Sequence, residues 1–341
     1  QFMTVCSERV YNTNDRARQT LDGHIHFLGR KDFQVKLNGF RIELDEIQHV
    51  LNRSAFVEQS VVIKYEDASP DSARLVAYYV PKKENDLPEL TDSQADSSRV
   101  SEWRLVFNKT YSSHESEDTQ DQLFNISGWK SSYTGEAFSR EEMSDWLDNG
   151  IRHVRRLPNR HVLEIGCGTG LVLYRLAPST DSYRASDISE TAVAMLNDTI
   201  SQDQNLQHVK VDVQAADNPL LYQSLYDMVI LNSVIQYFPN HAYLEKVLRL
   251  IGDTIAENGH ALIGDIRSEP LLKAFHTSVE LSRMPGDTSA PLLKAAVDRG
   301  IFMDYELCVN PAFFMNLRDV HPRMAGVEIL YKQSRYDNEM R

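Results

Sequence analysis

Glycine recurs at every second position in Glu164-Ile165-Gly166-Cys167-Gly168-Thr169-Gly170, just after the apolar Val162-Leu163 and just before Leu171–Leu176. A strand that ends in such a turn and opens a helix lets a nucleotide-like ligand meet bare backbone, because glycine has no Cβ and tolerates positive φ. A dinucleotide fingerprint needs its third glycine one place later, at Leu171, so the spacing leans away from NAD. Glu164 is placed to order the turn or to meet a ligand ammonium, and Cys167 is a small residue whose backbone faces the ligand. Asp187 lies about twenty residues further on, where a carboxylate can accept both hydrogen bonds of a ribose diol. The alternative is a helix N-cap, a role open to Ser189 as well, and the glycine turn favours the ribose role. Asp217 can accept from an adenine amino group. Asn232, Gln236 and Tyr237, in Leu231-Asn232-Ser233-Val234-Ile235-Gln236-Tyr237-Phe238-Pro239, can orient an amine or a carbonyl, although Tyr237-Phe238 also suits a core.

These residues need a scaffold that presents them along one edge. After Pro158 the sequence alternates strand and helix patterns. The strands are His161–Ile165, Tyr183–Ser186, His208–Val213, Met228–Leu231 and His260–Gly264. Helical spacing covers Leu171–Leu176, Glu190–Ile200 and Tyr243–Ala256, and a late strand is expected over Val327–Lys332. Such alternation predicts a doubly wound, mostly parallel α/β sheet with ligand at the carboxyl ends of its strands. A helix over Glu141–Arg156 precedes it. Asn125–Trp129 and Ser132–Gly135, rich in glycine and aromatic residues, read as a lid that carries Tyr133. Residues 1–82 read as a small α+β unit of hairpins and one helix over Glu43–Leu51. Residues 83–99 read as a linker, Val100–Tyr111 as a helix and Ser112–Gln122 as a mobile polar loop.

At 341 residues, with 42% apolar and 25% charged residues, the chain suits an ordinary globular protein of about two domains. A formal charge of −13 and no evident cluster of Lys and Arg argue against nucleic acid as a partner. Cys6, Cys167 and Cys308 form no CxxC pair and no zinc spacing, which predicts no metal and reduced thiols in the cytoplasm. No apolar run reaches membrane-span length, and Gln1-Phe2-Met3-Thr4 has no signal pattern. The start reads as cut from something longer.

Two stretches resemble one family, the nonribosomal peptide synthetases. Tyr11–Asp15, Asp22-Gly23 and Gly29–Ile47, with Gly29-Arg30-Lys31-Asp32 and Lys36-Leu37-Asn38-Gly39-Phe40-Arg41-Ile42-Glu43, resemble the seventh and eighth core motifs of adenylation domains. By that resemblance Asp15 holds the adenylate ribose, Arg30 assists it, and Asp32 is the hinge of the small subdomain. The sequence departs at Asn14, where the family has Gly, and at Arg16, where it usually has Leu. From about Val100 onward, Trp103, Gly128-Trp129, Ser131–Gly135, Leu163–Gly170, Asn232–Pro239 and Gly264-Asp265-Ile266-Arg267 resemble the N-methyltransferase domain inserted after the eighth motif. The glycine turn is then motif I of the class I S-adenosylmethionine (SAM) methyltransferases.

The resemblance implies a class I methyltransferase domain over 100–341, truncated at its C-terminal end and preceded by part of an adenylation subdomain. It implies SAM as cofactor, bound by Glu164, Gly166, Cys167, Gly168, Gly170, Asp187, Asp217 and Asn232. Its partners are a carrier domain with a phosphopantetheine-tethered aminoacyl substrate, the remaining adenylation core and condensation domains. The expected reaction is methylation of the aminoacyl α-amine; carbon or side-chain methylation and a non-catalytic scaffold are the alternatives. An aminoacyl amine titrates in the α-amino range, about 7.7–8.0, so a strong base is not required. Asn232, Gln236, Tyr237 and Tyr133 are the candidate catalytic groups, with Asp265 and His276 as further candidates to place the amine or relay its proton.

Overall fold

The structure is a computed structural model. It describes residues 2–5, 8–11, 15–20, 22–30, 34–37, 40–54, 56–65, 74–82, 92–112 and 123–339. The chain divides into two units, Gln1–Leu90 and Thr91–Arg341.

The first unit is built of antiparallel pairs. These are β1 (Phe2–Val5) with β2 (Glu8–Tyr11), β3 (Asp15–Gln19) with β4 (Ile25–Arg30), β5 (Gln34–Leu37) with β6 (Phe40–Glu43), and β7 (Val57–Tyr65) with β8 (Arg74–Pro81). Helix α1 (Leu44–Asn52) follows β6 and packs against β7, with Leu44 buried. Asp15 and Arg30 stand opposite each other in the β3–β4 register. Asn14, Asp32 and Ser113–Gln122 lie outside the described residues.

In the second unit, helix α2 spans Asp92–Ser112, so the last eight residues of the expected linker are helical. Linker composition misleads here because the helix is held by tertiary contacts along its far end. Trp103, Phe107 and Tyr111 recur at helical spacing and stack in sequence. Helix α3 (Arg140–Val154) starts in a complete capping box, in which the Ser139 hydroxyl accepts from the Glu142 amide and Glu142 accepts from the Ser139 amide.

Next come β9 (His161–Ile165), α4 (Leu171–Leu176), β10 (Ser182–Asp187), α5 (Glu190–Gln202), β11 (Val209–Val213), β12 (Tyr226–Asn232), α6 (His241–Thr254) and β13 (Ile255–Gly264). The last strand begins five residues earlier than its apolar run suggested and cuts α6 off at Thr254. Helices α7 (Leu272–Arg283), α8 (Ala290–Phe302), α9 (Pro311–Met315) and α10 (Leu317–Val320) complete the unit. The sheet order is β11-β10-β9-β12-β13, and every pairing is parallel. The order reverses between β9 and β12, which makes their carboxyl ends the switch-point crevice.

Both sheet faces are covered. One core gathers α3, α4 and α5 over the sheet through Met143, Leu147, Leu173, Leu196 and Met228. The other packs α6, α9 and α10 through Leu244, Val247, Ile251, Phe314 and Leu317. Val327–Lys332 does not form the expected strand: it is extended but joins no ladder, and Ile329 and Tyr331 are exposed. Alternating apolar residues make a strand only when a neighbouring edge accepts their hydrogen bonds.

Arg152, Arg155 and Arg156 line one depression at the end of α3 together with Asp148, and Arg175 lies 3.9 Å from that carboxylate. This basic cluster lies where the chain enters β9, away from the carboxyl-end crevice. Among the described residues, no helix is long and apolar enough to cross a membrane.

Removal of the capping hydroxyl in Ser139→Ala is expected to cost about 1 kcal/mol of unfolding free energy, read by urea denaturation of the full chain. An unchanged midpoint would show that the α3 start is held by packing alone.

Candidate active site at the carboxyl edge of the sheet

The glycine turn is fixed by backbone. Gly166 and Cys167 both donate to the Ser186 carbonyl, at 2.7 and 3.0 Å, which locks the end of β9 to β10. Gly166, Gly168 and Gly170 adopt φ of 73°, 51° and 86°, a region that favours glycine. A Cβ at Gly166 would meet the Val234 side chain, and one at Gly170 would lie 2.5 Å from Leu196 Cδ2. Protein packing therefore demands glycine at these two positions independently of any ligand.

Asp187 terminates β10 beside this turn and is 7% exposed. One carboxylate oxygen accepts from the Gly168 amide at 2.9 Å, the other from the Ser189 amide at 2.8 Å. Burial raises its pKa, and the two amides oppose that rise. A carboxylate has about four acceptor sites, so these bonds leave capacity for a diol. Ser189 takes the N-cap role at α5, accepting from the Ala192 amide.

Glu164 is buried, and its carboxyl accepts from the Tyr183 hydroxyl at 2.7 Å. Burial pushes its pKa up to about 8, against the lowering effect of that hydroxyl. Cys167 is buried too, and its thiol is pushed up by the same desolvation.

Asp217 is held by α6: Tyr243 donates to one oxygen at 2.9 Å and Lys246 to the other at 2.6 Å. It braces the loop after β11 against that helix.

Asn232 ends β12 and donates to Asp265, at the end of β13, across 3.4 Å. Ser233 and Asp265 have φ of 57° and 55°, uncommon for side-chain-bearing residues and concentrated at one edge. Gln236 is 8% exposed, and its Oε1 is buried without a hydrogen-bond partner among the described residues. Such an acceptor is a cost unless a ligand donor meets it. Tyr237 packs against Trp103 at 4.6 Å and Phe107 at 5.0 Å between ring centroids. Burial, and after it Glu306, pushes its hydroxyl up to about 12.

Val234, between Asn232 and Gln236 in the chain, packs against Gly166 of the turn. The Tyr133 hydroxyl is 3.2 Å from Ser278 and its ring meets Phe275, both on α7. His276 is a packed helix-face histidine, 2.9 Å from Asp304, which also binds Arg267.

Residues outside the expected set also converge here. Tyr111 of α2 reaches the turn, since its hydroxyl lies 3.3 Å from where a Cβ on Gly168 would stand. Burial raises the pKa of that hydroxyl, with Asp187 adding to the rise. Asn108 docks the helix on the start of α5 through Ser189 and Glu190, at 2.7 and 2.6 Å. The aromatic spacing at 103, 107 and 111 was the sequence signal for this helix face. Trp146 and Lys332, which both contact Asp265, had no such local signal. The lid segment is tied to the turn where Thr169 donates to the Asn125 carbonyl at 2.6 Å, and Trp129 packs 4.7 Å from Trp146.

A raised carboxyl pKa has a definite sign. Between about 4.5 and 8 the unfolded chain releases the Glu164 proton while the folded chain keeps it, so stability falls as pH rises. Glu164→Gln should flatten this decline across that window, by up to roughly 1 kcal/mol per pH unit. Denaturation of both proteins from pH 5 to 8 checks it, and parallel slopes would refute it.

Comparison with known proteins agrees with this geometry. Residues 163–261 match the family model described as a methyltransferase domain. Chondramide synthase from Chondromyces crocatus is 37% identical over 346 residues, covering 99% of this chain and 9% of that protein. A probable non-canonical nonribosomal peptide synthetase from Salinispora arenicola is 36% identical, covering 97% of this chain and 4% of its own length. Cyclosporin synthetase from Tolypocladium inflatum is 32% identical over 97% of this chain and 2% of that synthetase. The chain therefore spans less than a tenth of these relatives. A magnesium protoporphyrin IX methyltransferase from Synechocystis PCC 6803 overlaps 65% of this chain and 88% of its own, at 15% identity and a TM-score of 0.42. At that score the class I assignment rests on the strand order and the glycine turn. Residues 163–261 are a methyltransferase domain with the strand order and glycine turn of class I enzymes, in a chain similar over nearly its whole length to segments of nonribosomal peptide synthetases.

Proposed function

We propose that this chain N-methylates the α-amine of an aminoacyl thioester presented by a carrier domain. In this reading its first unit is the part of an adenylation subdomain into which the methyltransferase is inserted. Asp15 and Arg30, cross-strand neighbours on β3 and β4, belong to the adenylate side of that subdomain. The carrier, the adenylation core and the condensation domains are its partners in the longer synthetase.

The observation that carries the nitrogen assignment is the chemistry of the crevice edge. It offers orienting groups and, among the described residues, no available strong base. Asp265 is engaged by Lys332 and Trp146, His276 by Asp304, and the Tyr237 hydroxyl is pushed up to about 12. A carbon acid or an alcohol needs a base to become a nucleophile. An amine near its own pKa already has a large neutral fraction at neutral pH.

When bound, SAM supplies a sulfonium methyl group for in-line displacement. The residues of this chain do the rest. The bare turn at Gly166–Gly170 gives close approach to backbone, and Asp187 beside it offers acceptors for the ribose diol. Gln236 Oε1 offers a buried acceptor to a substrate or cofactor N–H. Asn232 and Tyr237 orient the amine, and the Trp103, Phe107 and Tyr111 face excludes water. Orientation and desolvation are the expected protein contributions when a cofactor carries the reactive group.

Methyl-labelled SAM with a series of aminoacyl-pantetheine substrates, followed by fragmentation of the product, tests the assignment. Label on the α-nitrogen is expected, and label on carbon or a side-chain atom would overturn it. Asp187→Ala should weaken SAM binding tenfold or more, because a charged acceptor is worth roughly 1.5–3 kcal/mol; calorimetry that returns the parent affinity on folded protein would remove the ribose role. Asn232→Ala and Tyr237→Phe should instead leave SAM affinity near the parent value and slow single-turnover methylation, on the order of 10²-fold if the amine drifts by about 1 Å. Parent rates in both variants would move the chemistry away from this edge.

A further inference from the structure

At the ends of β12 and β13 a single carboxylate collects four partners. Asp265 Oδ2 accepts from Trp146 Nε1 at 2.7 Å, from the Ser233 hydroxyl and from Asn232 Nδ2 at 3.4 Å. The other oxygen, Oδ1, is paired with the Lys332 ammonium. Lys332 comes from the extended segment after α10, nearly seventy residues along the chain, and also lies 4.9 Å over the Trp146 ring. Both members are largely shielded, at 24% and 15% side-chain exposure. The segment is anchored beyond Lys332 as well: Arg335 and Ser334 hold Asp145 of α3 at 2.8 and 2.9 Å, and Asn338 donates to Glu142 at 2.9 Å. This is more fastening than a surface tail needs, and it delivers one cation to the edge that carries Asn232.

We propose that Lys332 is a positioning residue: it balances the charge of Asp265, so the carboxylate can orient the substrate amine without holding it as an ammonium. The proposal rests on the N-methylation reading. Only the neutral amine has a lone pair to give. An unbalanced carboxylate within about 4–6 Å of an amine raises the amine pKa by roughly 1–3 units. A carboxylate already paired with a buried ammonium carries little net field, and Oδ1, which accepts from Lys332, is the oxygen with room for a further donor. Lys332 is itself pulled down by burial, and its pairing with Asp265 offsets part of that effect. The other ionisable groups around the pair do not supply the balance. Asp145 is taken by Arg335 and Glu142 by Asn338 and Ser139; Tyr237 is kept protonated; Arg267 is committed to Asp304 and Glu306.

The test compares the full parent chain with Lys332→Met, Lys332→Arg, Asp265→Asn and the Asp265→Asn/Lys332→Met double variant. The probe is the aminoacyl pantetheine that the parent methylates fastest. Single-turnover rate is recorded against pH, as is the affinity of a non-hydrolysable amide analogue for the chain loaded with S-adenosylhomocysteine. Lys332→Met should shift the rising limb of the rate profile to higher pH by on the order of one unit, with about tenfold lower rate below that limb. It should leave SAM affinity unchanged and make analogue binding tighter at low pH. Lys332→Arg should restore the parent profile. Asp265→Asn leaves an unbalanced cation and should shift the limb in the opposite direction, and the double variant should return towards the parent. If Lys332→Met does not fold, the Asp265→Asn and double-variant profiles carry the same comparison. Parent-like midpoints throughout, with the methyl on nitrogen, overturn the role of Lys332 alone. A methyl on carbon overturns the underlying reading and this proposal with it.

Discussion

Asp187 is the joint on which the crevice depends. Its buried carboxylate ties the Gly168 amide of the turn to the Ser189 amide that begins α5. Two backbone segments from different strand–helix crossings are held in one geometry by one side chain. The arrangement has an electrostatic cost, since desolvation raises the Asp187 pKa, and the two amides offset part of it. Removing it would leave two amides without their acceptor. Helix α2 depends on the same joint, because Asn108 bonds to Ser189 and Glu190 just beyond Asp187, and Tyr111 lies against Gly168.

Burial divides the carboxylates of this unit into different kinds of group. Glu164 sits under the turn, favours its protonated form, and has Tyr183 as partner. Asp187 faces two amides, Asp217 an ammonium and a phenol, and Asp265 an ammonium and an indole. Identical chemistry in the sequence becomes four environments. The absence of an available base at the crevice edge, among the described residues, matches a nucleophile that needs orientation more than deprotonation.

The sequence by itself determined the parallel sheet and the turn. The apolar runs that became β9 and β12 were visible because a strand buried on both faces is a short, nearly continuous apolar stretch, and β11 because its valines alternate with polar residues. The turn was visible because only glycine suits three positive-φ positions two apart. Asn232, Gln236 and Tyr237 followed from β12, since a residue just past a parallel strand must emerge at its carboxyl end. What only the tertiary structure decided is which distant residues meet them. It extended the helix expected over Val100–Tyr111 back to Asp92, into the segment that reads as linker, left Val327–Lys332 outside the sheet, tied Asp217 to α6 and gave Tyr133 and His276 partners on other elements. It also set Lys332 on Asp265. Local pattern records the period of an element and the residues at its ends. A contact between residues far apart in sequence depends on how loops return and which edges are covered, and no short-range spacing encodes that.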